Sequence, residues 1–138
     1  LTGPLQTACA PDVRGTAFYV PSDADMGVGG FEKLGARRYL VISIAMTAAR
    51  LSIADGRIGD AAISVGACAP VAVRLTELEA GLRGMAYDMA GDFIRDSRSG
   101  ILAALSPIDD VRGTAGYRRD AAAEIVARLV ERLCGEFG

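Results

Sequence analysis

The chain has 138 residues, of which 51% are hydrophobic and 23% are charged, and its formal net charge is −2. A chain of this length can bury its own core, so we expect a single domain over residues 1–138, and the high apolar content excludes intrinsic disorder. The weak acidic balance excludes a general electrostatic attraction to nucleic acid or to an acidic membrane surface.

Residue types that many active sites need are missing. The absence of histidine excludes Ser-His-Asp and Cys-His triads and histidine zinc sites. The three cysteines, Cys9, Cys68 and Cys134, are odd in number and far apart, so we expect neither a disulfide framework nor a metal site. We therefore expect no catalytic residue and no metal ligand in this chain.

Hydropathy bears on cellular location. The longest apolar run, Leu40 to Ala49, is much shorter than the roughly 20 residues of a membrane-spanning helix. The first residues do not combine a basic region with an apolar one, as a signal peptide would. We predict no membrane span and a cytoplasmic location.

Residues 1–30 are rich in Pro, Gly, Asp and Ser and contain one short β-prone run, Thr16–Val20. We predict an edge strand at this run and a loop from Pro21 to Gly30. Gly27–Gly30 lacks the strand–turn–helix context and the Gly-Lys-Ser/Thr ending of a phosphate-binding loop, and we reject that interpretation.

A β-hairpin is predicted in the middle of the chain. Two segments rich in β-branched and small apolar residues, Leu40–Ile53 and Ala61–Leu75, flank Asp55-Gly56. An Asp-Gly pair readily adopts the positive φ angles of a tight reversal between antiparallel strands. We therefore predict that these segments are two strands of one sheet.

Beyond Leu75 the apolar residues recur at helical spacing. Thr76 and Glu79 fit a capping box at the start of a short helix that carries Leu78 and Leu82 on one face. The serine, threonine or aspartate before such a run normally satisfies a free amide of the first turn.

A second helix is predicted to end near Arg95 by three residues at positions i, i+4 and i+8, namely Met85, Met89 and Phe93. Ser97–Gly100 is predicted to interrupt the helical pattern before Ile101–Leu105. Pro107 then closes the segment, because proline cannot continue a helix from within.

The last helix is predicted from an apolar stripe that repeats every four residues and is flanked by Ala122, Val126 and Val130. The stripe consists of Tyr117, Ala121, Ile125, Leu129 and Leu133. The opposite face is predicted to be charged and to include Arg118 and Arg119. A helix with one apolar stripe lies on a sheet or on other helices. Together the segments predict an α+β fold, with an antiparallel sheet of about three strands covered on one face by C-terminal helices.

The strongest candidate for binding an anion is Phe31-Glu-Lys-Leu-Gly-Ala-Arg-Arg38. Lys33 beside a glycine-containing turn, with Arg37 and Arg38, could clamp a phosphate or carboxylate, since lysine offers a point charge and arginine a planar fork. A solvated basic turn explains the same residues, and the residues alone favour that simpler interpretation.

Two other charged groups precede or begin the last helix. Asp109, Asp110 and Arg112 could serve acid–base chemistry or metal binding, but acids at a helix start are usually structural, and we favour local pairing with Arg112. We expect the Tyr117 ring in the core and leave Arg118 and Arg119 open between a subunit interface and solvent.

Four segments in this order resemble the C-terminal domain of the FAD-binding subunit of molybdenum hydroxylases, a family that includes the xanthine dehydrogenases and aerobic carbon monoxide dehydrogenases. They are Phe31–Arg38, Arg57–Pro70, Glu79–Gly84 and Pro107–Arg119. The resemblance covers roughly residue 15 to the C-terminus. Each segment is weak alone, and the specificity lies in their order.

The resemblance implies that the chain is part of an oxidoreductase with FAD as cofactor and that Lys33 faces the isoalloxazine end of FAD. Arg37 and Arg38 would lie at the flavin mouth or at a domain interface. The FAD pyrophosphate loops would belong to a flavin-binding domain upstream, so this chain alone would bind FAD weakly if at all. Iron–sulfur clusters and molybdopterin would belong to partner subunits. The alternative is a free-standing binding or scaffolding module with no redox role.

Overall fold

The computed structural model describes residues 1–4 and 6–137. The strands are β1 (Val28–Leu34), β2 (Ala45–Ala54), β3 (Arg57–Gly66) and β4 (Val73–Arg74). The α-helices are α1 (Thr76–Leu82), α2 (Ala90–Asp96), α3 (Arg98–Ala104) and α4 (Ala115–Gly135). Short 3₁₀ turns lie at Ser22–Asp25 and Tyr87–Met89.

The strands form one antiparallel sheet in the order β1-β2-β3-β4. Helix α4 lies across β1 and β2, α1 packs against β3, and α2 and α3 pack against α4. The helices therefore cover one face of the sheet, as the sequence predicts. The α+β prediction is confirmed, although the sheet has four strands instead of about three.

The predicted hairpin joins β2 and β3 through Asp55 and Gly56. Their φ angles are 51° and 72°, so both residues have the left-handed conformation that a two-residue turn between antiparallel strands requires. Asp–Gly tolerates this conformation better than most residue pairs because glycine has no Cβ atom. The turn prediction is confirmed.

The edge strand lies at Val28–Leu34 and not at Thr16–Val20, so the predicted edge strand is wrong, and the predicted loop from Pro21 ends at Gly27 instead of Gly30. The reason is tertiary packing. A Cβ atom at Gly30 would lie 2.7 Å from Leu129 Cδ1, so the absence of a side chain brings β1 against α4. This contact outweighs the low strand propensity of glycine.

The hairpin arms differ in length from the predicted segments. β2 begins at Ala45, since Leu40 has a φ of 48° and lies in the loop before it. β3 ends at Gly66, where Ala67 with a φ of 65° turns the chain, and pairing resumes only at Val73 in the short β4. Local backbone reversals of this kind leave little trace in residue composition.

The capping box at Thr76 is wrong. Leu75 is the N-cap of α1 and no side chain caps this helix. Glu79 instead turns toward the sheet, where Oε1 accepts a hydrogen bond from the Ile63 amide at 2.7 Å, and the carboxylate pairs with Arg74 at 2.7 and 2.8 Å. A buried carboxylate needs such partners, and they compete successfully with the helix amide.

The second and third helices are shifted relative to the prediction. Met85 and Met89 precede α2, which begins at Ala90. The break before α3 is Ser97 alone instead of four residues, because its amide still bonds to the Phe93 carbonyl at 2.9 Å and the chain re-enters a helix at Arg98.

The last helix is confirmed, but its buried stripe is rotated. Leu129 and Leu133 are buried, whereas Tyr117 is 51% exposed and Arg118 is 1% exposed. Four residues advance a helix about 40° beyond a full turn, so a line drawn every four residues winds around the axis. The buried face is centred on the predicted flank, Ala122, Val126 and Val130, together with Leu129 and Leu133 of the stripe.

Candidate functional site

The candidate site lies at the end of β1, on the sheet face that the helices leave uncovered. Lys33 belongs to β1 itself, and the turn at Gly35 follows it. Its ammonium group donates a hydrogen bond to the Val41 carbonyl at 2.8 Å, yet the side chain remains exposed. One of the three ammonium protons is thus used, which fixes the direction of the group and leaves the others for a ligand.

Arg37 points to the same part of the loop between β1 and β2. Its Nη2 atom donates to the Leu40 carbonyl at 2.6 Å. Lys33 and Arg37 therefore bind consecutive carbonyls, and the structure brings together the two residues that the sequence singled out. Arg38 turns aside, with its guanidinium 5.3 Å from the centre of the Tyr39 ring.

Gly35 lets this loop close on itself. A Cβ atom at Gly35 would lie 2.6 Å from Val41 Cγ1 and 3.3 Å from the Arg37 carbonyl oxygen. Any other residue at this position would force the Val41 side chain to move. The glycine of the sequence motif is thus required by close packing.

The neighbours of Lys33 on the open face are aromatic and apolar. Phe31 lies two residues earlier in β1, on the same face, and is 56% exposed. Met46 is paired with Lys33 in register and lies over Gly66, where a Cβ atom would meet Met46 Cε at 2.5 Å. Sequence reasoning missed Phe31 and Met46, because both emerge only from the strand register.

The charge of the site is positive. Lys33, Arg37 and Arg38 take part in none of the ion pairs formed by the described residues. Glu32, which lies between Phe31 and Lys33 in sequence, faces α4 and pairs with Arg132 at 3.3 Å. Exposed cations without carboxylate partners, beside an aromatic ring, suit a flat ligand that carries negative charge.

The acidic cluster before α4 is structural. Asp110 accepts hydrogen bonds from Arg112, which lower the pKa of its carboxyl to about 2. Asp109 Oδ1 accepts from the Ala115 amide at 2.6 Å, and Thr114 caps the Tyr117 amide at 3.2 Å. Local pairing with Arg112 is confirmed.

Arg118 is neither at an interface nor in solvent, and both open interpretations are wrong for it. Its guanidinium is buried and donates to the carbonyls of Ile44, Ala67 and Ile108, and it also contacts Asp110 at 3.3 Å. It ties α4 to the start of β2 and to the loop after β3. Arg119 is exposed. The expected core position of the Tyr117 ring is wrong, because it is half exposed.

The cysteines remain unpaired. Cys9 is exposed, whereas burial raises the pKa of the Cys68 and Cys134 thiols. Within residues 1–4 and 6–137, no three His, Cys, Asp or Glu side chains are grouped so as to hold a metal ion. In the same part of the chain, every helix is too short or too polar to cross a membrane.

Residues 31–133 match the family described as the CO dehydrogenase flavoprotein C-terminal domain. The nicotine 6-hydroxylase medium subunit of Paenarthrobacter nicotinovorans is 31% identical over 129 residues, which are 93% of this chain and 44% of that subunit.

Solved structures agree. In the reconstituted CO dehydrogenase from Oligotropha carboxidovorans, a chain superposes with a TM-score of 0.69 and 27% identity, over 78% of this chain and 36% of that one. Quinoline 2-oxidoreductase from Pseudomonas putida 86 gives a TM-score of 0.70 at 23% identity, over 78% of this chain and 37% of that one, and supports the fold alone.

The chain therefore belongs to the CO dehydrogenase flavoprotein C-terminal domain family, the C-terminal part of the FAD subunit of molybdenum hydroxylases. It spans less than half the length of the relatives that it matches. The resemblance stated from the four sequence segments is thus confirmed.

Proposed function

We propose that the exposed end of β1, with Lys33 and Arg37, forms one wall of the flavin site in a molybdenum hydroxylase-type oxidoreductase. The observation that carries the proposal is Lys33 itself. Its ammonium is oriented by the Val41 carbonyl, lacks a carboxylate partner among the described residues, and lies on the open sheet face within the matched family region.

The side chains present suit the ring end of FAD. Flavin accepts an electron pair when bound, and negative charge then develops near N1 and the C2 carbonyl of the ring. An ammonium held by one hydrogen bond can donate a second one to that edge at little further entropic cost. Phe31, exposed on the same face, offers an apolar surface to a flat ring.

Arg37 is proposed to act as the second cofactor-binding residue. Its guanidinium is anchored to the Leu40 carbonyl, and the next carbonyl along the chain, that of Val41, holds Lys33. The chain has no glycine-rich pyrophosphate loop, and we propose that a preceding flavin-binding domain supplies most FAD contacts. The isolated chain would accordingly bind FAD weakly.

We further propose that this domain closes one side of the flavin site and docks partner subunits that carry iron–sulfur clusters and molybdopterin. The names of two matched relatives denote a hydroxylase and a dehydrogenase, which supports a redox role over a scaffolding module. Two buried unpaired thiols, Cys68 and Cys134, agree with the proposed cytoplasmic location, where thiols stay reduced.

The test is a redox titration of the intact flavoprotein with Lys33→Ala. Loss of a charge-assisted contact made to the reduced flavin is expected to cost ~1.5–3 kcal/mol, which lowers the two-electron potential by roughly 30–60 mV. FAD content should stay near that of the parent protein, because phosphate contacts are made elsewhere.

Two variants serve as controls. Arg128→Ala removes the same charge from an exposed position on α4 and should leave the potential unchanged. Lys33→Arg keeps the charge, so its two-electron flavin potential should lie close to that of the parent protein. An unchanged potential in Lys33→Ala, with normal FAD content, would reject the flavin role. Lys33 would then be a residue of a solvated basic turn.

A further inference from the structure

The run Thr16–Val20 has a strand-forming sequence but no sheet. It lies outside every helix and strand of the described chain. Phe18, Tyr19 and Val20 are 102%, 88% and 69% exposed. Three consecutive large apolar side chains in water are unusual on a monomer and mark a surface that is normally covered.

The backbone of this run also lacks hydrogen-bond partners within the described part of the chain. Among the described residues, the main-chain groups of residues 14–20 form no hydrogen bond to other backbone groups. In an extended segment, Thr16, Phe18 and Val20 point to one side and Ala17 and Tyr19 to the other, so apolar groups occupy both sides. That pattern is typical of a strand covered on both faces.

The run cannot be regarded as a loose part of this domain's own core. The chain is anchored only further on, where Arg50 donates to the Met26 carbonyl at 2.7 Å and Gly27, with a φ of 101°, packs against the Leu51 carbonyl. Residues 6–22 before that anchor are all exposed.

The relatives indicate what covers the run. The nicotine 6-hydroxylase match extends over 129 of the 138 residues, so it has to include residues 16–20, whereas the family domain begins at residue 31. That relative is more than twice as long as this chain, and the matched family is described as a C-terminal domain, so the remainder of such a subunit would precede the run.

We propose that Thr16–Val20 is a β-strand of the intact subunit that pairs with a sheet of the domain preceding this one, which we assign to flavin binding. The run would fix the position of β1, and hence of Lys33, relative to that domain. The inference rests on the proposed subunit organisation and not on the proposed role of Lys33.

Hydrogen exchange by mass spectrometry tests the pairing on the intact subunit, without and with FAD. Amides 17–20 are expected to exchange on the order of 100-fold more slowly in the intact subunit than in the 138-residue chain, because sheet amides open rarely. Equal rates in the two proteins would overturn the proposal. So would protection in the 138-residue chain that rises with concentration, since this would indicate pairing between two copies.

Proline variants supply a second measurement. Phe18→Pro and Tyr19→Pro remove amides that point to opposite sides, so at least one should abolish protection of the run. Gly15→Pro is the matched control, because a Cβ atom at Gly15 would meet no atom within 4 Å and its φ is not positive. Protection unaffected by both strand variants would contradict the proposal.

These outcomes are separable from those of the flavin proposal. A protected run together with an unchanged potential in Lys33→Ala would reject only the flavin role. An unprotected run together with a lowered potential would reject only the pairing.

Discussion

At the scale of single residues, Lys33 and Arg118 show that exposure or burial decides the role of a cationic side chain. Lys33 is exposed and keeps donors free, with a single carbonyl directing its ammonium. Arg118 is 1% exposed, and its guanidinium donates hydrogen bonds to three carbonyls and Asp110. The first arrangement leaves charge for a ligand, whereas the second uses it to fix three segments of the fold.

Arg118→Met should destabilise the protein by roughly 3–5 kcal/mol, because it removes one partner of a buried, hydrogen-bonded charge network and leaves carbonyl groups without donors. Arg119→Met is the matched control at the neighbouring exposed position and should change stability by less than about 0.5 kcal/mol. Urea denaturation of both variants provides the comparison. Similar values for the two would show that the Arg118 network is dispensable.

The sequence could not assign Arg118 in advance. The apolar periodicity of α4 puts it on the charged face, and its partners Ile44 and Ala67 are distant in sequence. Asp110 and Arg112 were assigned correctly, since their pairing is local and needs only a turn.

At the scale of elements, the sequence predicted correctly those features that depend on neighbouring residues in the chain. Asp55-Gly56 set the hairpin and the apolar periodicity set α4. The edge strand was misplaced because Gly29 and Gly30 have low strand propensity, and only the approach of α4 explains why they pair. Thr16–Val20 has the propensity but finds no partner among the described residues.

The orientation of α4 leads to a prediction. Leu129 is fully buried against the sheet, so Leu129→Ala should cost ~2–5 kcal/mol through lost transfer energy and the cavity that remains. Tyr117→Ala, at a half-exposed position of the same helix, should cost clearly less. Thermal and urea unfolding of both variants would check the order, and a loss below about 1 kcal/mol at Leu129 would contradict the observed packing.

At the scale of the whole molecule, the sheet has one face covered by its own helices and one face open to solvent. Helices α1 to α4 cover the first face, while the second presents Phe31, Lys33 and Ala48 to solvent. The family followed from four ordered segments, and the α+β fold from the hairpin and helical patterns. The strand register decides which side chains share the open face, and this register cannot be read from the sequence alone.

The most direct measurement is a crystal structure of the intact subunit with FAD bound. The account predicts that the Lys33 ammonium lies within hydrogen-bonding distance, about 2.8–3.2 Å, of N1 or the C2 carbonyl oxygen of the isoalloxazine ring. It would be contradicted if no polar atom of the ring lay within about 6 Å of that ammonium, since charge stabilisation on reduction would then be lost.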